Sequence, residues 1–224
     1  MFSTICVRIW FERYGVPLVA AAIPDNLDRV GSGLTERRGS YKPGMSMRAI
    51  LDQIVENGGE IMAHNAEPVI TKKNQYDYDL MYGYFCETKY RLEACGYHPR
   101  GIIRAGGEGA VSRSSEIDRW LVGNYEYANM GTLPQYAWDR VSIQQSQDDL
   151  KAAILEARNE RAWLCFMCHG YDFGGGETFT GEADLIELLE YCRSIGIDVV
   201  TCGYMFDNYG SSRSAEALAA ITNG

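Results

Sequence analysis

Three short apolar runs, each closed by a polar cluster, constrain this chain more than any other feature. Glu60-Ile61-Met62-Ala63 runs into His64-Asn65-Ala66-Glu67-Pro68, Gly101-Ile102-Ile103 into Arg104-Ala105-Gly106-Gly107, and Trp163-Leu164-Cys165-Phe166-Met167-Cys168 into His169-Gly170. A short continuous apolar run is the pattern of a strand covered on both faces. Open α/β sheets and α/β barrels bind their ligands at the carboxyl ends of the strands. Polar side chains that directly follow such runs are therefore the first candidates for a site.

Helical periods separate the runs. Phe2, Ile5, Cys6, Ile9 and Trp10 recur at helical spacing over Met1–Tyr14, and Gly15 stops them. Val16–Ile23 is continuous apolar sequence and predicts a strand, followed by a polar excursion from Asp28 to Pro43. Met47, Ile50, Leu51, Ile54 and Val55 set a helix over Ser46–Glu56 with Ser46 as its cap. The same criteria predict helices over Gln75–Ala94, Ser115–Leu121, Asp148–Arg161, Glu182–Ile195 and Ser211–Thr222, and strands at Tyr125–Ala128 and Asp198–Thr201. Strands alternating with helices indicate an α/β fold with a largely parallel sheet. A chain of 224 residues suits a single domain, 1–224.

Charge and composition narrow the partners. A net charge of -9 argues against nucleic acid, which is bound by Lys and Arg neutralising phosphates. Neutral ligands such as sugars remain compatible. No apolar run approaches the roughly 18 residues needed to cross a bilayer, and Met1–Arg13 lacks the layout of a secretion signal, so a cytoplasmic setting is expected. Seven cysteines, with Cys6, Cys165, Cys168 and Cys202 inside apolar runs, indicate reduced and buried thiols. Cys165-Phe166-Met167-Cys168-His169 fits the CxxCH pattern of haem attachment, but a strand points alternate side chains to opposite faces, whereas such a site needs converging thiols. Gly174-Gly175-Gly176 lacks the Lys and Ser/Thr of a phosphate loop. Asp77, Asp79, Glu87 and Glu93 read as the solvated face of a helix.

The chemistry then rests on His64, Arg104 and His169. A neutral imidazole ligates a metal or moves a proton near neutral pH, and an arginine orients a carboxylate or an oxyanion. For each alone, the plain alternative is a satisfied polar residue closing a strand. Gly59-Glu60-Ile61-Met62-Ala63-His64, Arg104 with its glycine loop, Trp163 to His169, and Leu185 to Thr201 together resemble, in order and spacing, the polysaccharide deacetylase family (NodB-homology, carbohydrate esterase family 4).

The resemblance implies a distorted (β/α) barrel and metal-dependent hydrolysis of N-acetyl groups on a carbohydrate. It makes His64 the first histidine of the metal motif, Arg104 the residue orienting the catalytic carboxylate, and His169 the acid that protonates the leaving amine. It places Gly106, Gly107 and Trp163 at the substrate and a divalent metal, zinc, at the site. The position of the family's second histidine holds Pro68, with Glu67 beside it as the substitute ligand. The family's Asp-Asp pair, which precedes its first helix, has no counterpart here. The barrel is therefore expected to be incomplete at the N-terminus, with an unpaired sheet edge that favours self-association. The alternative is a catalytically degenerate relative, a glycan-binding or structural module. Such a module would stack sugar rings on Tyr76, Tyr78, Tyr125, Tyr127, Trp138 or Trp163.

Overall fold

A computed structural model describes residues 14–28, 46–64, 78–103, 115–128, 140–167 and 182–209. The elements are β1 (Val19–Ala22), α1 (Met47–Glu56), β2 (Glu60–Ala63), α2 (Tyr78–Ala94), β3 (Gly101–Ile102), α3 (Ser115–Val122), β4 (Tyr127–Ala128), β5 (Arg140–Ser142), α4 (Gln147–Glu160), β6 (Cys165–Met167), α5 (Glu182–Ser194) and α6 (Cys202–Tyr209). Strands β1-β2-β3-β4 form one sheet in sequential order, and every pairing in it is parallel. Strands β5 and β6 form a second parallel pair. This is the mixed α/β architecture with parallel strands that the alternating pattern predicts.

The helices form where period and caps agree. Ser46 Oγ accepts from the Ala49 N–H at 3.2 Å and opens α1, whose apolar stripe buries Ile50, Leu51 and Ile54. Gly58, at φ 75°, takes the left-handed turn that ends α1. The chain then enters β2 directly, with the Glu60 N–H donating to Leu18 O at 2.8 Å.

Strand alternation sorts the core into layers. On one face of the larger sheet Ala20, Ala22, Ile61, Ala63, Ile102 and Ala128 pack under α1, α2 and α3, against Ile54, Phe85 and Leu121. The other face carries Met62, Ile103 and Tyr127, which pack with Val19, Trp163, Cys165, Cys202 and Phe206. In β6, Cys165 turns to this second cluster while Phe166 turns to a third, built on Ile143, Leu150, Ile154, Leu185 and Leu189 between the smaller sheet, α4 and α5. The two sheets thus share one interior cluster, with α6 beside it.

Several expectations change. Residues 198–201 form no ladder, although their apolar run predicts a strand, and the chain instead enters α6 at Cys202. Strand β5 was not anticipated. The predicted elements over 1–13 and 211–222, most of the excursion at 28–43, and Gly174-Gly175-Gly176 lie outside the described residues. Asp79, Glu87 and Glu93 are exposed as expected, and Asp77 is outside the described residues. Among the described residues β1 has a strand partner on one side only, and no helix is long and apolar enough to cross a membrane.

Gly101 shows how closely the interior is fitted. A Cβ there would clash with the edge of the Tyr127 ring and lie 2.6 Å from Met62 Cε. Overpacking of this kind displaces neighbours at a cost of about 1–3 kcal/mol. Gly101→Ala should lower the urea midpoint of unfolding accordingly, and an unchanged midpoint would contradict this packing.

Candidate functional site

The two ends of β2 carry different chemistry. At its carboxyl end, His64 is held by the pairing of β2 with both neighbours, Ala63 standing opposite Ala22 and Ile102. Its N–H donates to Ala22 O at 2.9 Å, and its ring Nδ1 lies 3.0 Å from Ile103 O. A carbonyl oxygen only accepts, so Nδ1 carries the proton and the neutral ring has its basic electron pair on Nε2. Histidines that ligate metals adopt this arrangement, one nitrogen anchored on a carbonyl and the other directed to the ion.

The other sequence candidates divide sharply. Arg104, Gly106, Gly107, Glu67 and His169 lie outside the described residues. Arg104 follows Ile103, the residue that anchors His64. Trp163 precedes β6 and packs, half-buried, against the cluster of Met62, Ile103, Tyr127 and Cys202. Tyr125 and Tyr127 are buried, at 3% and 0% exposure, which removes them as stacking platforms for a sugar. Tyr125 Oη donates to Phe85 O at 2.9 Å, and Tyr127 Oη donates to Glu60. Tyr76, Trp138 and the side chain of Tyr78 are outside the description. The donor chemistry of His64 fits a divalent metal, while no group of three His, Cys, Asp or Glu residues able to hold one occurs among the described residues.

The amino end of β2 holds a network that sequence reasoning missed. Glu60 Oε2 accepts from the Gly203 N–H at 2.8 Å, and Oε1 accepts from Tyr127 Oη. Gly203 is in the first turn of α6, where N–H groups lack helical partners and an anion is favoured. Thr201 Oγ1 takes a further N–H of that turn, from Tyr204, at 3.1 Å. Arg100, just ahead of β3, grips Asp207 of α6 at 2.9 and 2.5 Å and Glu126 at 3.0 and 2.7 Å. Its guanidinium also lies 5.8 Å from the ring centres of both Tyr127 and Phe206. Arg100 and its carboxylates are half-exposed and screened by solvent, so the contribution of these pairs lies in orienting α6 more than in raw stability.

Burial sets the titration of this end. It pushes the Glu60 carboxyl above its ordinary value, against the opposing pull of Tyr127, Gly203 and Arg100. The Tyr127 hydroxyl is raised by burial and by the adjacent Glu60 charge, and Asp207 is lowered by Arg100. Cys202 stands well above the usual thiol range, first through its hydrogen bond with Cys165 and then through burial. The amino-terminal face of such a sheet serves stability, and these contacts fasten a helix in place. The available signal in the sequence was a carboxylate opening an otherwise apolar strand.

No family model matches the chain, nor does any curated protein or solved structure. The fold and the site define an α/β protein with parallel strands and a histidine at a strand's carboxyl end.

A raised carboxyl pKa means that the folded state holds the Glu60 proton more tightly than the unfolded chain does. Stability from this group is then full below the unfolded value, near 4.5, and falls as pH rises through the folded value. Glu60→Gln removes that titration. Its urea midpoint should gain on the parent protein's between pH 4 and pH 7 (about the span of a raised carboxyl). A constant gap across that range would show that Glu60 does not titrate in this way.

Proposed function

We propose that the chain is a polysaccharide deacetylase-like protein that hydrolyses N-acetyl groups on a carbohydrate with the help of a divalent metal, zinc, on a distorted (β/α) barrel. The observation that carries this reading is His64: one residue past a parallel strand, Nδ1 proton anchored on Ile103 O, electron pair on Nε2. That is the chemistry required of the first histidine in the motif its sequence resembles.

In this reading His64 and Glu67 hold the metal, which supplies polarisation of the acetyl carbonyl and an acidified water. Arg104 takes the place of the arginine that orients the catalytic carboxylate, and His169 delivers a proton to the departing amine nitrogen. The backbone at Gly106 and Gly107 allows close approach of a sugar, and Trp163 borders the substrate. No residue in the matched positions replaces the family's paired aspartates. Among the described residues β1 has a strand partner on one side only, which supports self-association of the chain.

Pro68 at the second ligand position favours one competing reading, a glycan-binding module without hydrolysis. Acetate release from a chito-oligosaccharide separates the two. The proposal expects release that depends on zinc, stops with a chelator, and falls by about 100-fold or more in His64→Ala and His169→Ala. Glycan binding unaffected by chelator, with no acetate formed, would establish the competing reading. Neither release nor binding would overturn both.

A further inference from the structure

A cavity of about 580 Å³ opens between the smaller sheet, α4, α5 and α6. Its floor is aliphatic and buried, formed by Ile143, Ile154, Leu185 and Leu189. Phe166, Val199 and Met205 line it as well and are only half-buried, although apolar. Its exposed rim is charged, with Arg158 and Arg161 at the end of α4 and Asp198 after α5. The described lining thus carries two cations to one carboxylate, in a chain whose net charge is -9. Among the described residues of the deacetylase reading, only Trp163 lines it.

We propose that this cavity binds a long-chain monocarboxylate, with the hydrocarbon tail on the aliphatic floor and the carboxylate at Arg158. Volume, lining and charge agree on that class. Ligand cavities span roughly 300–1,000 Å³ and are mostly apolar, with a few polar groups that fix orientation. A gradient from a buried aliphatic floor to a cationic rim matches an amphiphilic anion. It does not suit a sugar, whose hydroxyls would find few partners among these side chains. Arg158 lies in the last turn of α4, is exposed, and pairs with none of the described carboxylates. Open carbonyls at a helix end would repel an anion. Here Ala157 O accepts from the Ala162 N–H at 2.8 Å and Arg158 O from the Arg161 N–H at 3.2 Å, so both are already occupied. The tail supplies the affinity, and the arginine selects the charge of the head.

Titration calorimetry of the whole chain with octanoate, decanoate and dodecanoate, each below its micelle concentration, tests this. The expected result is one site per chain, with affinity rising about fourfold for each added methylene. Arg158→Ala should weaken decanoate by about fivefold, the upper range for an exposed ion pair, and leave uncharged decanol unchanged. Ala157→Phe, which sets a ring into the cavity, should abolish binding of both. Unsaturable uptake, affinity indifferent to tail length, or an Arg158→Ala variant that treats decanoate and decanol alike would each overturn the proposal. Absence of binding would overturn it too, and concentration-dependent dimerisation alongside would assign the cavity to a second copy of the chain. The parent series and the exposed Arg158 decide this even if Ala157→Phe folds poorly. These titrations need no zinc, so their failure is separate from a failure of acetate release.

Discussion

The Glu60 carboxylate is the contact on which the rest of the arrangement depends. A buried carboxylate is costly unless its oxygens find donors, and here Tyr127 and the first turn of α6 supply them. The dependence is mutual. Tyr127 Oη and the Gly203 N–H would themselves be left unsatisfied without Glu60, at about 1–3 kcal/mol each. Helix α6 is thereby fixed to β2, while Arg100 fixes it to the entry of β3 and Cys165 of β6 packs on the same interior cluster as Cys202. The two sheets share an apolar interior, and α6 adds directed bonds to that non-directional contact.

Strand β2 therefore separates support from chemistry over five residues. Glu60 anchors its amino end among fixed donors, and His64 leaves its carboxyl end with its tautomer set by Ile103 O. Between them Ile61 and Ala63 pack under the helices while Met62 fills the interior cluster, so the strand has little freedom to shift. A histidine mounted in this way presents one nitrogen in a fixed direction, and metal ligation and proton transfer both require that.

Local pattern made much of this legible. The periods of α1, α4 and α5 and the Ser46 cap are written in adjacent residues, and the structure follows them closely. Pairing is different because it is decided at a distance. Asp198 to Thr201 reads as a strand yet forms no ladder, since composition does not select a neighbour. Tyr125 and Tyr127 looked like stacking residues because aromatic character shows in the sequence and the buried face does not. Glu60 escaped notice for the same reason, its partners lying 67 and 143 residues away. Helix α6 left one readable trace, Thr201 in the position of a cap.

The central claim is that β2 delivers His64 as a ligand with its Nδ1 proton committed to Ile103. Nitrogen-15 NMR of the histidine rings, recorded without and then with zinc, tests it most directly. The account predicts a protonated Nδ1 and an unprotonated Nε2 for His64 in the neutral ring, with the Nε2 resonance shifting on zinc addition while Nδ1 keeps its proton. A proton on Nε2 in the zinc-free neutral ring, or a His64 spectrum indifferent to zinc, would contradict it.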